Sequence, residues 1–172
     1  DFETVNNEND ILEFPSNGGI FPLKSGISLI FMIGCGHIDP TNGTWIFRSW
    51  VTNRLSNSEE ARIIDEWIAH MASVRSSVPT STKTVYMWSN AEKAGMEQAG
   101  TRRGSPYPVI DWYDLENWVK DNEYAVKGGW GTGLKKVVKP LIAHYPYDSV
   151  TGDGIEPWPS GQAQGGTDAL LL

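Results

Sequence analysis

Two carboxylates open the chain two residues apart, Asp1 and Glu3, with Phe2 between them and Thr4 following. On a β-strand, alternate residues project from one face, so this spacing puts both acids on the same side. Such a pair can hold hard cations such as Mg2+ or Mn2+, which take oxygen ligands. Two ions about 3.5–4 Å apart activate a water and stabilise the leaving oxygen of a phosphodiester. The same spacing also describes two solvated charges at a strand end, so its meaning depends on the company it keeps.

Further acids follow at strand-to-helix junctions. Residues 85–93 read as a strand running into a helix, with Glu92 in the first helical turn. Ser89 and Glu92 have capping-box spacing, which needs no catalysis. The same geometry lifts a carboxylate to the carboxyl end of a strand, where open α/β sheets place their sites. Asp114 lies where an extended piece hands over to a helix. It can be a ligand or a helix N-terminal charge, and Asp111 competes for the same role. Glycines 128, 129, 131 and 133 precede Lys135 and Lys136, which could meet phosphates or simply face solvent.

Other chemistries lack their residues. His37, His70 and His144 are scattered, and with the single cysteine, Cys35, they give no zinc pattern. Cys35 ends an apolar strand and reads as a small buried hydrophobe. No Gly-x-Ser-x-Gly elbow occurs, and no Gly-Lys-Ser/Thr follows the glycines. One cysteine in 172 residues rules out an internal disulfide framework and favours an intracellular setting, cytoplasmic or nuclear. No apolar run approaches the ~20 residues of a membrane helix. A net charge of −7 argues against wrapping duplex DNA by general electrostatics, yet clustered carboxylates are what a two-metal site needs. Eight tryptophans and six tyrosines are many for this length, and exposed aromatic faces bind bases or sugars. Trp45, Trp67, Trp88 and Trp118 fall in expected strands or helices and are expected to be buried. Trp130 and Trp158, in loops, are the tryptophans to check for an exposed binding surface.

The elements that must position these acids follow from periodicity and turn chemistry. Residues 2–5 read as a strand end and 6–25 as a loop rich in Asn, Gly and Pro. Residues 27–38 and 44–52 make a hairpin around Thr41-Asn42-Gly43. The capping box Ser56 to Glu59 opens a helix of about five turns, with Ala61, Ile64, Trp67, Ile68 and Met71 on one face. A strand at 83–88, a helix from Asn90 to Gly100, an extended piece at 109–112 and a helix at 113–120 come next. A basic helix from Leu134 is expected to be disturbed at Pro140, and no regular structure is assigned from His144 onward. Hairpin strands followed by alternating helices and strands predict an α/β fold, a mixed β-sheet with helices packed on it, in one domain. The start at Asp1 and the apolar end at residues 169–172 read as a piece of a longer polypeptide, cut at both ends.

Taken in order, these pieces resemble the ribonuclease H-like fold of DEDD-type 3′–5′ exonucleases, closest to the predicted nucleases with a YprB-type ribonuclease H-like domain. The resemblance lies in Asp1 to Thr4, Tyr86 to Glu92, Trp112 to Leu115 and Gly131 to Val137. It implies two-metal hydrolysis of DNA or RNA with Mg2+ or Mn2+, in replication or repair, including virus- or mobile-element-encoded forms. Asp1 and Glu3 would be the chief ligands, Glu92 the second-motif acid and Asp114 a further acid. Met87 stands where such proteins carry histidine or tyrosine. Their final Tyr-x-x-x-Asp or His-x-x-x-x-Asp element is absent, since neither Asp148 nor Asp168 has the spacing. In a truncated chain that acid would follow Leu172. Proofreading domains of B-family polymerases share Asp-Phe-Glu-Thr, but their Asn-x-x-Phe-Asp motif is missing. The competing expectation is a non-catalytic, aromatic-rich nucleic-acid-binding module or a degenerate ribonuclease H-like one.

Overall fold

The computed structural model describes residues 1–5, 28–39, 41–77 and 84–155. Among them the chain is mixed α/β, with a three-stranded antiparallel sheet, a two-stranded parallel sheet and four helices. It divides into two compact units, Asp1–Val85 with Ala91–Trp112, and Tyr86–Asn90 with Tyr113–Leu172.

The first unit is built on β1 (Phe2–Val5), β2 (Leu29–Ile38) and β3 (Trp45–Val51), paired in that order. β2 and β3 form the expected hairpin, with Ile33 opposite Trp50 and Ile38 opposite Trp45. Local polar bonds tie its turn. Asp39 Oδ1 accepts from the Thr41 N–H and hydroxyl, Asn42 Oδ1 does the same for Thr44, and Gly43 takes φ 74°. β1 pairs antiparallel with β2, Phe2 opposite Ile33, and the register shifts between Glu3 and Thr4.

Helix α1 (Asn57–Ser77) follows. Ser56 Oγ accepts from the Glu59 N–H at 3.3 Å, the first half of the expected box. The Glu59 carboxylate turns instead to the Asn53 N–H and to Arg62, and these bonds, Arg62 first, hold it down at about 2. The apolar stripe of α1 buries Ile63, Ile64, Trp67 and Met71 against Ile30 and Ile33 of β2. Helix α2 (Ala91–Arg103) completes this core with Met96 and Ala99. Gly95 lets its backbone approach Ile30 and Phe2, where an added Cβ would sit 3.5 Å from Ile30 Cδ1.

Strands β4 (Thr84–Met87) and β5 (Asp111–Asp114) pair with each other, so the described strands make two sheets rather than the single mixed sheet expected from the element order. The second unit carries α3 (Leu115–Asp121) and α4 (Leu134–His144). α4 continues through Pro140 to His144. Proline removes the N–H that Lys136 O would accept. The Gly129 backbone packs where that bond is lost; a Cβ there would lie 2.8 Å from Lys136 O. Beyond α4 a parallel bridge joins Pro146 to Ile155, and Trp158 lies outside the described residues.

Candidate functional site

Asp1 and Glu3 do share a face, and the pairing shows which one. Phe2 points into the core, its ring 5.2 Å from Trp67 and 6.3 Å from Trp112, both edge-on. The residues flanking it therefore project to the opposite side of the sheet. There Asp1 pairs with Gly34 through two backbone hydrogen bonds of 2.8 and 2.9 Å, and Glu3 lies opposite Met32. The register shift falls after Glu3, so the alternation across the pair is intact. Asp1 is exposed and Glu3 half-buried.

Glu92 sits in the first turn of α2 and is 8% exposed. With Gly95, Met96 and Ala99 it belongs to the helix stripe that meets the Phe2 face of the sheet, so it stands on the other side of β1 from Asp1 and Glu3. The helix begins at Ala91, and Ser89 adopts φ 81° just ahead of it.

In the second unit, Asp114 is the N-cap of α3. Its Oδ1 accepts from the N–H groups of Glu116, Asn117 and Ser89 at 2.9, 3.1 and 3.2 Å. The helix-capping alternative raised by its position is therefore realised. Asp111 serves a different partner, accepting the Thr84 hydroxyl at 2.8 Å. Lys135 and Lys136 lie on the exposed first turn of α4. Among the described residues, no three His, Cys, Asp or Glu side chains are grouped to hold a metal ion. The four acids singled out in the sequence are thus a strand pair, a buried helix residue and a helix cap.

Three features had little or no signal in the sequence. The first lies on the Asp1/Glu3 face of the sheet. β3 presents Trp45, Phe47, Ser49 and Val51 there, and β2 presents Met32, Gly34, Gly36 and Ile38. Trp45, expected to be buried, is 65% exposed, and Phe47 is 62% exposed. The reason is parity: Ile33 opposite Trp50 commits the even residues of β3 to the α1 side, leaving the odd ones outside. Trp118 is likewise exposed, whereas Trp67 is buried as expected. The second feature is a cluster of His37, His70, Arg48 and Trp50. The two imidazoles are 5.5 Å apart, and Arg48 Nη1 lies 3.5 Å from His70 Nδ1. Burial first, then the Arg48 charge and His37, pushes His70 below its ordinary value. The third is a groove of about 600 Å3 between α2 and the chain leading to β5, with Met96, Tyr107, Ile110 and Trp112 in its wall.

No protein-family model, curated protein or solved structure matches this chain.

Proposed function

We propose that this chain is a ribonuclease H-like, metal-dependent nuclease domain that hydrolyses phosphodiester bonds of DNA or RNA, acting from the 3′ end. The observation that carries the reading is the Asp1–Phe2–Glu3 strand, with both carboxylates on one sheet face and the phenyl ring between them locked into the core. The aromatic clamp on Phe2 keeps the strand from rolling, so the two acids are presented together. A meander of three antiparallel strands, then helix, strand, helix and strand, is compatible with the element order that the resemblance implies.

The donor set fits a hard cation. Mg2+ is commonly held by one or two carboxylates and keeps several waters, which is what an exposed Asp1 beside Glu3 can supply. A divalent ion, when bound, supplies Lewis-acid chemistry, lowering the pKa of a water and withdrawing charge from the phosphate. Asp1 and Glu3 would hold it. The resemblance would add Glu92 and Asp114, but Glu92 faces the other side of the sheet and Asp114 Oδ1 caps α3 in the second unit, so the proposed metal rests on Asp1 and Glu3 alone. The single cysteine fits an intracellular nuclease. No helix among the described residues is long and apolar enough to cross a membrane.

A second reading, a non-catalytic or degenerate module that binds nucleic acid through aromatic rings, is favoured by the exposure of Trp45 and Phe47. Metal linkage separates the two. In the full-length protein, Mn2+ at about 100 times its Kd should stabilise the fold by about 2.7 kcal/mol, raising Tm by roughly 5–10 °C. Asp1→Ala or Glu3→Ala should abolish that rise and the shortening of a 5′-labelled single strand. An unchanged Tm in wild-type protein would leave only the binding module.

A further inference from the structure

We propose that the open face of the β1–β2–β3 sheet is a platform for single-stranded nucleic acid, with Trp45 and Phe47 stacking two bases beside the Asp1/Glu3 pair. The backbone contact rests on the nuclease reading, whereas the stacking does not.

Glycines set the platform's shape. A Cβ on Gly36 would fall 2.0 Å from Trp45 Cζ2, and one on Gly34 would fall 3.0 Å from Phe47 Cζ. Each ring therefore lies across bare backbone of β2, with one side covered and the other facing outward. That is why both remain more than 60% exposed while touching the sheet. Residues two apart on a strand are separated by about 6.7 Å, close to twice the stacked rise of about 3.4 Å per nucleotide. Two rings so spaced suit successive bases drawn out of a stack.

Charge narrows the occupant. None of the β2 and β3 residues on this face is charged, so the surface offers no cation to phosphates and presents ring faces instead. The only side-chain charges on this face among the described strands are those of Glu3 in β1 and of Asp1 just ahead of it, and the two carboxylates suit a divalent ion. Phe47 leans toward that side: the Gly34 Cβ position that touches its ring lies 4.0 Å from Asp1 O. A base on Phe47 thus brings its sugar-phosphate toward the carboxylates. The platform and the proposed metal pair form one continuous face.

A neutral-backbone probe isolates the stacking. A fluorescent peptide nucleic acid oligomer carries bases but no phosphates, so its binding needs no metal. It should bind the full-length protein equally with and without Mn2+, and Trp45→Ala or Phe47→Ala should each weaken it about 10-fold. Gly36→Ala, which keeps Trp45 but forces its ring off the backbone, should also weaken it and guards against a Trp45 variant that fails to fold. The proposal is overturned if the oligomer does not bind, or if both alanine variants bind it like wild type. Tighter, Trp45-dependent binding of a neutral oligosaccharide would overturn it in favour of a sugar platform. Loss of the Mn2+ stabilisation with oligomer binding intact would remove the nuclease reading alone.

Discussion

Among individual residues, Glu60 carries the heaviest structural role in the first unit. It is 1% exposed, accepts the Ile30 N–H at 2.8 Å, and takes Arg102 Nε and Nη2 at 2.8 and 2.6 Å. One carboxylate thus ties α1 to β2 and α2. Removing it strands a buried N–H and a guanidinium whose side chain is only 14% exposed. Breaking a buried pair from one side costs about 3–5 kcal/mol, a large share of a typical stability of about 5–15 kcal/mol. Glu60→Ala should therefore lower the unfolding free energy measured by urea titration by about 3 kcal/mol at unchanged m-value. Glu60→Gln, which keeps an acceptor for Ile30, should cost less. An unfolding free energy for Glu60→Ala within about 1 kcal/mol of wild type, on the order of a surface substitution, would mean the pair contributes little. Nothing local in the sequence marks Glu60. The capping box ends one residue before it, and Arg102 is 42 residues away. Asp114 was easier to read, because an acid at a strand-to-helix handover has a cap to make.

At the scale of elements, the period of each segment was readable and its facing was not. Ile64, Trp67 and Met71 repeat at helical spacing, and all three are buried in α1. In β3 the alternation is equally clear, but both faces carry aromatics, so the pattern cannot say which one α1 covers. The register with β2 decides it, and sends Trp50 inward and Trp45 out. The hinge of that choice is the Trp50 face, where His70 of α1 meets His37 of β2 and Arg48 of β3. On α1 itself Glu66 precedes His70 by one turn and is held by Arg62 at 2.9 Å. His70 is depressed in the folded protein, so the unfolded chain takes up a proton first as pH falls below about 6.5. Its contribution is fully present above that pH and is lost progressively toward the lower folded value. Stability measured from pH 7.5 to 5.5 should fall more steeply for wild type than for His70→Gln. Parallel curves would show that the cluster does not couple to folding.

Across the whole molecule, the balance of charge governs how it can meet a polyanion. The chain carries 14 Lys and Arg against 21 Asp and Glu. Of the cations on the described elements, Arg62, Arg102, Arg103 and Lys120 are already in ion pairs with Glu59, Glu60, Asp65 and Glu116. Proteins that grip phosphates with Lys and Arg release counterions, and for single strands log K falls with log[salt] at a slope of about −0.7 per phosphate contact. A face that stacks bases on neutral rings and meets the backbone through a divalent ion has few such contacts to lose. Binding of a short oligothymidylate to full-length protein in Mn2+ should therefore show a slope no steeper than about −2 between 50 and 200 mM NaCl, on the order of three contacts or fewer. Chelation should weaken it far more than that salt change does. A slope near −5 that persists after chelation would require a cationic surface of about seven contacts. That outcome would move the nucleic-acid site away from Asp1, Glu3 and the rings beside them.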